Sequence, residues 1–288
     1  MSGRRLGSVT PEALVDTRLQ LHHAIQPLTS FAQALAEPMD DDQHRNLDWD
    51  IGTRGFRSRP AAGAPAMTTV FAVESFELRL EREDVVLASI PARGRSVDEL
   101  RAALERAVTD ALPSRAPEFE PPEFELPDHA VAGGHVSLTP DADALAELAR
   151  WYTHADRALL RLEERVDVDM DEPRVWPHHF DLATLLHAAS GTVGVGLSPG
   201  DGGIEHPYWY VRGYPDDGTA HDPAGLDLPA LERGRWKFEG WTGAVLDAPD
   251  LVGKVSDDAR DEAADGVADE VADDFLSTAV TFCLGLLD

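Results

Sequence analysis

The apolar positions change period several times along the chain, and each change marks an element. Leu14, Leu21, Ile25, Leu28 and Leu35 recur at helical spacing. Thr10-Pro11-Glu12 supplies the start: a hydroxyl that can cap, a proline suited to the first helical position, and an acid at the positive end of the helix dipole. Pro27 falls inside the pattern and predicts a kink. From Asp48 to Phe56 the period drops to two, which predicts one strand with Trp49, Ile51 and Thr53 on one face. Residues 68–80 and 84–90 read as the two strands of a hairpin. A slip of phase at Glu74-Ser75 predicts a turn or bulge there. Ser96-Val97-Asp98-Glu99 is a capping box opening a helix to about Leu112, with Val97, Leu100, Leu104 and Val108 inward.

A Pro- and Glu-rich run, 113–135, suits neither a regular helix nor a central strand. It divides the chain into an N-terminal half (1–112), a connector (113–138) and a C-terminal half (139–288). The second half begins as the first does: Thr139-Pro140-Asp141-Ala142 echoes Thr10-Pro11-Glu12-Ala13, a helix runs to about Glu164, and a Trp-bearing strand follows. The matching order points to an internal duplication. Arg235 to Leu246 reads as a further strand with Trp236 and Phe238 on one face. A last helix starts at Ser256 and turns Val267, Val271, Phe275 and Phe282 inward. The expected fold is α+β: antiparallel sheet packed by three or four helices.

The stretch with most chemical character is Arg174–Pro215, which reads as a three-stranded antiparallel meander. Alternation along its first strand puts Trp176, His178, Phe180 and Leu182 on one side and His179, Asp181, Ala183 and Leu185 on the other. His179 and Asp181 then stand about 7 Å apart on one face. A carboxylate so placed can orient an imidazole as a general base, and the pair can supply two metal ligands, with Asp201, Glu205 and His206 as further candidates. On the second strand, Gly194 and Gly196 form a face that leaves room for a ligand or for an aromatic ring from a neighbouring strand. The third strand sets Tyr208, Tyr210 and Arg212 against Trp209 and Val211. Trp176, His178, Tyr208, Trp209, Tyr210 and Arg212 are the candidate binding residues for a planar or anionic small molecule. Ordinary packing of Trp, Tyr and Gly in adjacent strands explains the same residues without any ligand. The run Ser198-Pro199-Gly200-Asp201-Gly202-Gly203 lacks the Gly-Lys-Ser/Thr ending of a phosphate loop, and no nucleophile elbow, His-Glu-x-x-His or dinucleotide fingerprint occurs.

Charge changes the setting more than the fold. The 288 residues carry 53 acids against 25 basic side chains, a net −28 that repels nucleic acid and anionic membranes alike. Only Lys237 and Lys254 are lysines. Abundant Asp with almost no Lys fits adaptation to high salt, where screening over roughly 3 Å at 1 M removes the self-repulsion. An acidic surface for a cationic partner is the other reading. No apolar run approaches a membrane span, and the N-terminus has no apolar leader, so a cytoplasmic protein is expected. Cys283 is the only cysteine and sits in an apolar run, as a small buried residue does.

The motifs Trp176-Pro177-His178-His179-Phe180-Asp181, Val195-Gly196-Leu197-Ser198-Pro199-Gly200-Asp201 and Pro207-Tyr208-Trp209-Tyr210-Val211 resemble those of a family of uncharacterised proteins catalogued only as a domain of unknown function. The resemblance implies an α+β fold and no activity, cofactor or catalytic residue. Two functions follow from the residues themselves. One is a non-catalytic protein that binds a small ligand or a partner. The other is a metal-assisted hydrolase built on His178, His179 and Asp181. Cofactor and oligomeric state stay unknown at this level.

Overall fold

The computed structural model describes residues 5–39, 43–63, 66–83, 85–112, 118–218, 226–239, 241–252 and 261–287, with side chains from residue 266 onward in the last of these. The fold is α+β, and every strand pairing among the described residues is antiparallel. Contacts divide the chain into two compact units. One holds Ala13–Ala149 with Arg174–Phe180; the other holds Met1–Glu12, Arg150–Pro173 and Asp181–Asp288. These boundaries differ from a split at the connector. The described connector residues and the segment 174–180 belong with the N-terminal elements, and the strand Arg174–Trp176 pairs there, Val175 opposite Leu47.

In the first unit, α1 (Pro11–Ala24) and α2 (Gln26–Leu35) are the single apolar stripe broken at Ile25, one residue before the turn that holds Pro27. Proline lacks the N–H that a continuous helix needs and clashes with the preceding turn. Leu14, Leu21, Ile25, Leu28 and Leu35 are all buried, as their spacing predicts. The expected strand 48–56 is instead a tight hairpin, β1 (Leu47–Asp50) and β2 (Gly55–Ser58). The Asp50 carboxylate accepts the Thr53 N–H at 3.1 Å and closes the turn, which leaves Ile51 exposed rather than beside Trp49. The next pair also becomes three strands: β3 (Met67–Ala72), β4 (Glu77–Arg82) and β5 (Val85–Pro91), with a turn where the phase slips at Glu74-Ser75. The capping box at Ser96 is formed, with Ser96 and Glu99 each accepting the other's backbone N–H, and starts α3 (Val97–Ala111). Leu100, Leu104 and Val108 are buried from it.

Strand β7 (Arg174–Trp176) completes this sheet in the order β7-β1-β2-β3-β4-β5; the two-residue strand β6 (Asp169–Met170) belongs to the other unit. Arg57 ties the sheet together on one face, bonded to Asp50 at 2.8 Å and Glu81 at 2.9 Å. β5 is a terminal strand, and its first residues, Val85, Val86 and Leu87, are exposed.

In the second unit the meander consists of β8 (Asp181–Ala188), β9 (Gly191–Ser198) and β10 (Tyr208–Pro215). Its order continues to β12 (Gly243–Asp247) and β11 (Arg235–Lys237), with β6 on β8. The single strand expected over 235–246 is thus a hairpin of two short ones. Trp209, Val211, Val193, Val195, Leu197 and Leu246 are fully buried. The core against them comes from the latter part of α4 (Ala142–Glu163), the short α5 (Ala248–Val252) and α6 (Asp261–Gly285). The start of the last helix expected at Ser256 lies outside the described residues. Within α6 the buried stripe is Ala268, Ala272, Phe275, Leu276, Ala279, Val280 and Cys283, while Val267, expected inward, is exposed. Arg161 on α4 meets Asp269 at 2.9 Å and Asp273 at 3.0 Å on α6, so part of the acidic face is paired rather than merely solvated.

Candidate functional site

The strand expected to run through Trp176, His178 and Asp181 is interrupted, and this corrects the alternation read from it. β7 ends at Trp176. Both the His179 and Phe180 N–H groups donate back to the Trp176 carbonyl, at 3.2 and 2.7 Å, so Pro177–Phe180 is a turn. Phe180 adopts a left-handed backbone (φ 62°), which L-residues adopt at a cost. Its ring stacks on His22 at 4.7 Å and lies 5.3 Å from Phe56, and these buried contacts hold it there.

His22 also donates from Nε2 to the Pro177 carbonyl at 2.7 Å, and Gln26 donates to the same oxygen at 3.2 Å. Burial drives the His22 pKa down to about 3, against the opposing effect of the Pro177 bond. His178 is half-buried between Trp176 and Phe124, with its pKa lowered to about 4, first by burial and then by His179. His179 is exposed, its ring 4.1 Å from that of His178.

In the second unit, Asp181 opens β8 and accepts a hydrogen bond from the Tyr210 hydroxyl. Burial raises the Tyr210 pKa well above its usual value, and the Asp181 charge raises it further. Asp201 is occupied by its own loop: Oδ1 accepts the Gly203 and Ile204 N–H groups at 2.7 and 2.8 Å, and Oδ2 accepts the Tyr208 hydroxyl at 2.6 Å. His206 faces Asp247 at 3.5 Å, not Asp201. Glu205 is exposed. Trp209 is fully buried with its ring 6.0 Å from His154. Among the described residues no three His, Cys, Asp or Glu side chains converge as metal ligands.

The glycine face of β9 is filled by aromatic rings. Register sets Gly196 opposite Tyr210 and Gly194 opposite Arg212. A Cβ at Gly196 would stand 2.9 Å from the Tyr210 hydroxyl oxygen and 2.5 Å from the Ala183 methyl, and one at Gly194 would stand 2.9 Å from the Tyr214 ring. Of the two uses that an all-glycine face allows, this unit shows the neighbouring side chains.

Open space lies at the other end of β10. A cavity of about 350 Å³ is lined by Arg212, Tyr214, Trp236, Phe238, Trp241 and Phe282, among others. That size is within the range of small-molecule sites. Three separate stretches supply these residues: β10, the β11–β12 hairpin and the last turns of α6. Trp236 is oriented by its indole N–H, which donates to the Pro229 carbonyl at 2.9 Å, and its ring lies 4.9 Å from Phe282. The Arg212 guanidinium lies 4.7 Å from the Tyr214 ring centre and 5.9 Å from that of Trp241. The Lys237 ammonium is 5.6 Å from the Trp241 ring. Burial raises the Tyr214 pKa, and Arg212 opposes the rise. Tyr214 and Phe238 are exposed, unlike the core aromatics. Cys283 borders the cavity, its thiol pushed up to about 12 by burial and so uncharged.

Arg212 is the one candidate from the sequence that reaches this cavity. Tyr214, Trp236, Phe238, Trp241 and Phe282 join it through tertiary structure. The one sequence signal for them is the density of aromatics in Arg235–Trp241, which exceeds what a single edge strand needs for packing. No family model, no curated protein and no solved structure matches the chain.

Proposed function

We propose that this is a non-catalytic binding protein whose site is the aromatic cavity bordered by β10, the β11–β12 hairpin and the end of α6. The observation that carries the reading is the set of half-exposed and exposed rings, Tyr214, Trp236, Phe238 and Trp241, around a space large enough for a small molecule. Aromatic side chains left partly open at a concave surface have not completed their burial, and a planar ligand completes it by removing that apolar area from water. A hydrolase on His179 and Asp181 receives no such support, because Asp181 is engaged by Tyr210 and no third ligand joins either residue among those described.

Ligand-observed saturation-transfer NMR with a panel of planar fragments tests the reading. Trp241→Ala is expected to weaken the retained binders about ten-fold or more, since an aromatic ring contributes strongly to such a site. Trp176→Ala, in the other unit, is expected to leave them unchanged. Equal signals from wild type and Trp241→Ala would remove the cavity from consideration.

The same proposal places the protein in a salty cytoplasm. With net −28, self-repulsion opposes the compact state until salt screens it. The unfolding midpoint is expected to rise by roughly 10 °C between 0.05 and 2 M KCl. A flat response by differential scanning calorimetry would count against salt adaptation and leave the cationic-partner reading in its place. No helix among the described residues is long and apolar enough to cross a membrane.

A further inference from the structure

The geometry points to a planar organic monoanion as the ligand of the aromatic cavity, with its carboxylate against Arg212 and its ring among Trp236, Phe238 and Trp241. This rests on the reading of the cavity as a binding site and adds the chemistry of its occupant.

Charge selects the class. The chain has about two acids for every base, so basic side chains are expected to find acidic neighbours. Arg57, Arg161 and Arg235 all do. Arg212 meets no carboxylate among the described residues: it lies by the rings of Tyr214 and Trp241 and hydrogen-bonds the Tyr214 side chain. It is also the only charged side chain among the described residues that line the cavity. Lys237, the next cation, is likewise seated over Trp241, bonded to the Glu239 carbonyl rather than to a carboxylate. The described lining therefore carries one positive charge and no negative one, which disfavours a cationic ligand at this point.

Shape selects further within that class. A guanidinium beside an aromatic ring and bonded to one hydroxyl keeps further in-plane N–H groups that can bind a carboxylate. A single lining cation matches a single negative charge; a di- or triphosphate would bring more charge than the cavity balances. The remaining wall is mostly apolar and aromatic, contributed by Trp236, Phe238, Phe282 and the two leucines that follow α6, Leu286 and Leu287, and it suits a fused or substituted ring more than a sugar. The volume has room for a bicyclic ring with one acidic group.

The test is isothermal titration calorimetry on the full chain with three probes of one shape: 2-naphthoate, 2-naphthamide and 2-naphthylmethylammonium. The anion is expected to bind at least about ten-fold more tightly than the amide, with the cation weakest. Arg212→Gln is expected to remove most of that preference while leaving the amide within about two-fold. Arg212→Lys retains the charge without the guanidinium and is expected to fall between. Should Arg212→Gln fail to fold, the order of the three probes on the wild-type chain decides alone. Equal binding of anion and amide, or a preference that survives Arg212→Gln, overturns the anion and leaves the cavity as a site. Failure of all three probes to bind removes both.

Discussion

Gly196→Val is expected to destabilise the unit that carries the cavity by about 3 kcal/mol or more. A Cβ at this position meets the Ala183 methyl at 2.5 Å, the Leu182 carbonyl oxygen at 2.8 Å and the Tyr210 hydroxyl at 2.9 Å. Two of these belong to β8, which is fixed to β9 by a full ladder, so they cannot withdraw as the end of a flexible side chain can. The third is the hydroxyl bonded to Asp181. Valine therefore forces β8 and β9 apart or drives Tyr210 off its carboxylate, leaving a buried charge short of a donor. Gly194→Ala provides the graded comparison: its methyl meets chiefly the edge of the exposed Tyr214 ring, which can swing outward, and the expected loss is only about 1 kcal/mol. Because Tyr214 borders the cavity, that milder variant should weaken ligand binding more than its stability loss would suggest. Urea unfolding followed by tryptophan fluorescence measures both. A Gly196→Val midpoint within experimental scatter of wild type would mean that Tyr210 does not occupy the glycine face.

Acid is expected to destabilise the other unit through His22, with a loss that a neutral replacement abolishes. In the folded chain its pKa is about 3, against 6.5 for the free side chain. The unfolded chain therefore takes up a proton below about pH 6.5 that the folded chain refuses, and stability falls as the pH drops toward 3. The slope is up to about 1.4 kcal/mol per pH unit across that window, and the full loss is on the order of 4 kcal/mol. His178, lowered to about 4 but only half-buried, adds a smaller loss of the same sign. His22→Gln keeps a donor for the Pro177 carbonyl and removes the titration. Its stability curve between pH 6.5 and 4 should be shallower than that of wild type by nearly one proton. Subtracting the two curves cancels the many carboxylates that titrate in the same range. Parallel curves would sink the assignment. The unfolding of Phe180 and its turn should accompany the loss, since His22 stacks on that ring and holds that carbonyl.

Features that depend on neighbours in sequence were legible. The broken helix at Pro27, the capping box at Ser96, the turn at Glu74-Ser75 and the three strands of the meander all rest on local chemistry. The misreadings share one cause: alternation of apolar residues continues across a turn without a break in phase. Trp49-Asp50-Ile51 and Trp176-Pro177-His178 each look like uninterrupted strand, and in each the chain reverses because of a contact that the pattern does not contain. At 51–54 it is the Asp50 carboxylate on the Thr53 N–H; at 177–180 it is a left-handed Phe180 held by His22, 158 residues earlier in the chain. The adjacent histidines drew chemical interest to that second turn, while the open space lies beside Arg212. Its other walls, Trp236–Trp241 and Phe282, are separated from Arg212 by loop and helix, so no spacing rule joins them.

The bare rim of β5 gives the acidic coat a second consequence. Val85, Val86 and Leu87 present an uncharged terminal strand, the kind of edge on which another chain can add a strand of its own. In dilute buffer the net −28 holds copies apart before their edges meet. In concentrated salt that guard shrinks to a few ångströms just as hydrophobic contact strengthens. If the unfolding midpoint does rise with salt as expected, the working range is bounded on both sides: self-repulsion sets the lower limit, and pairing between copies along β5 is the expected upper one, read as a growing light-scattering signal at molar KCl.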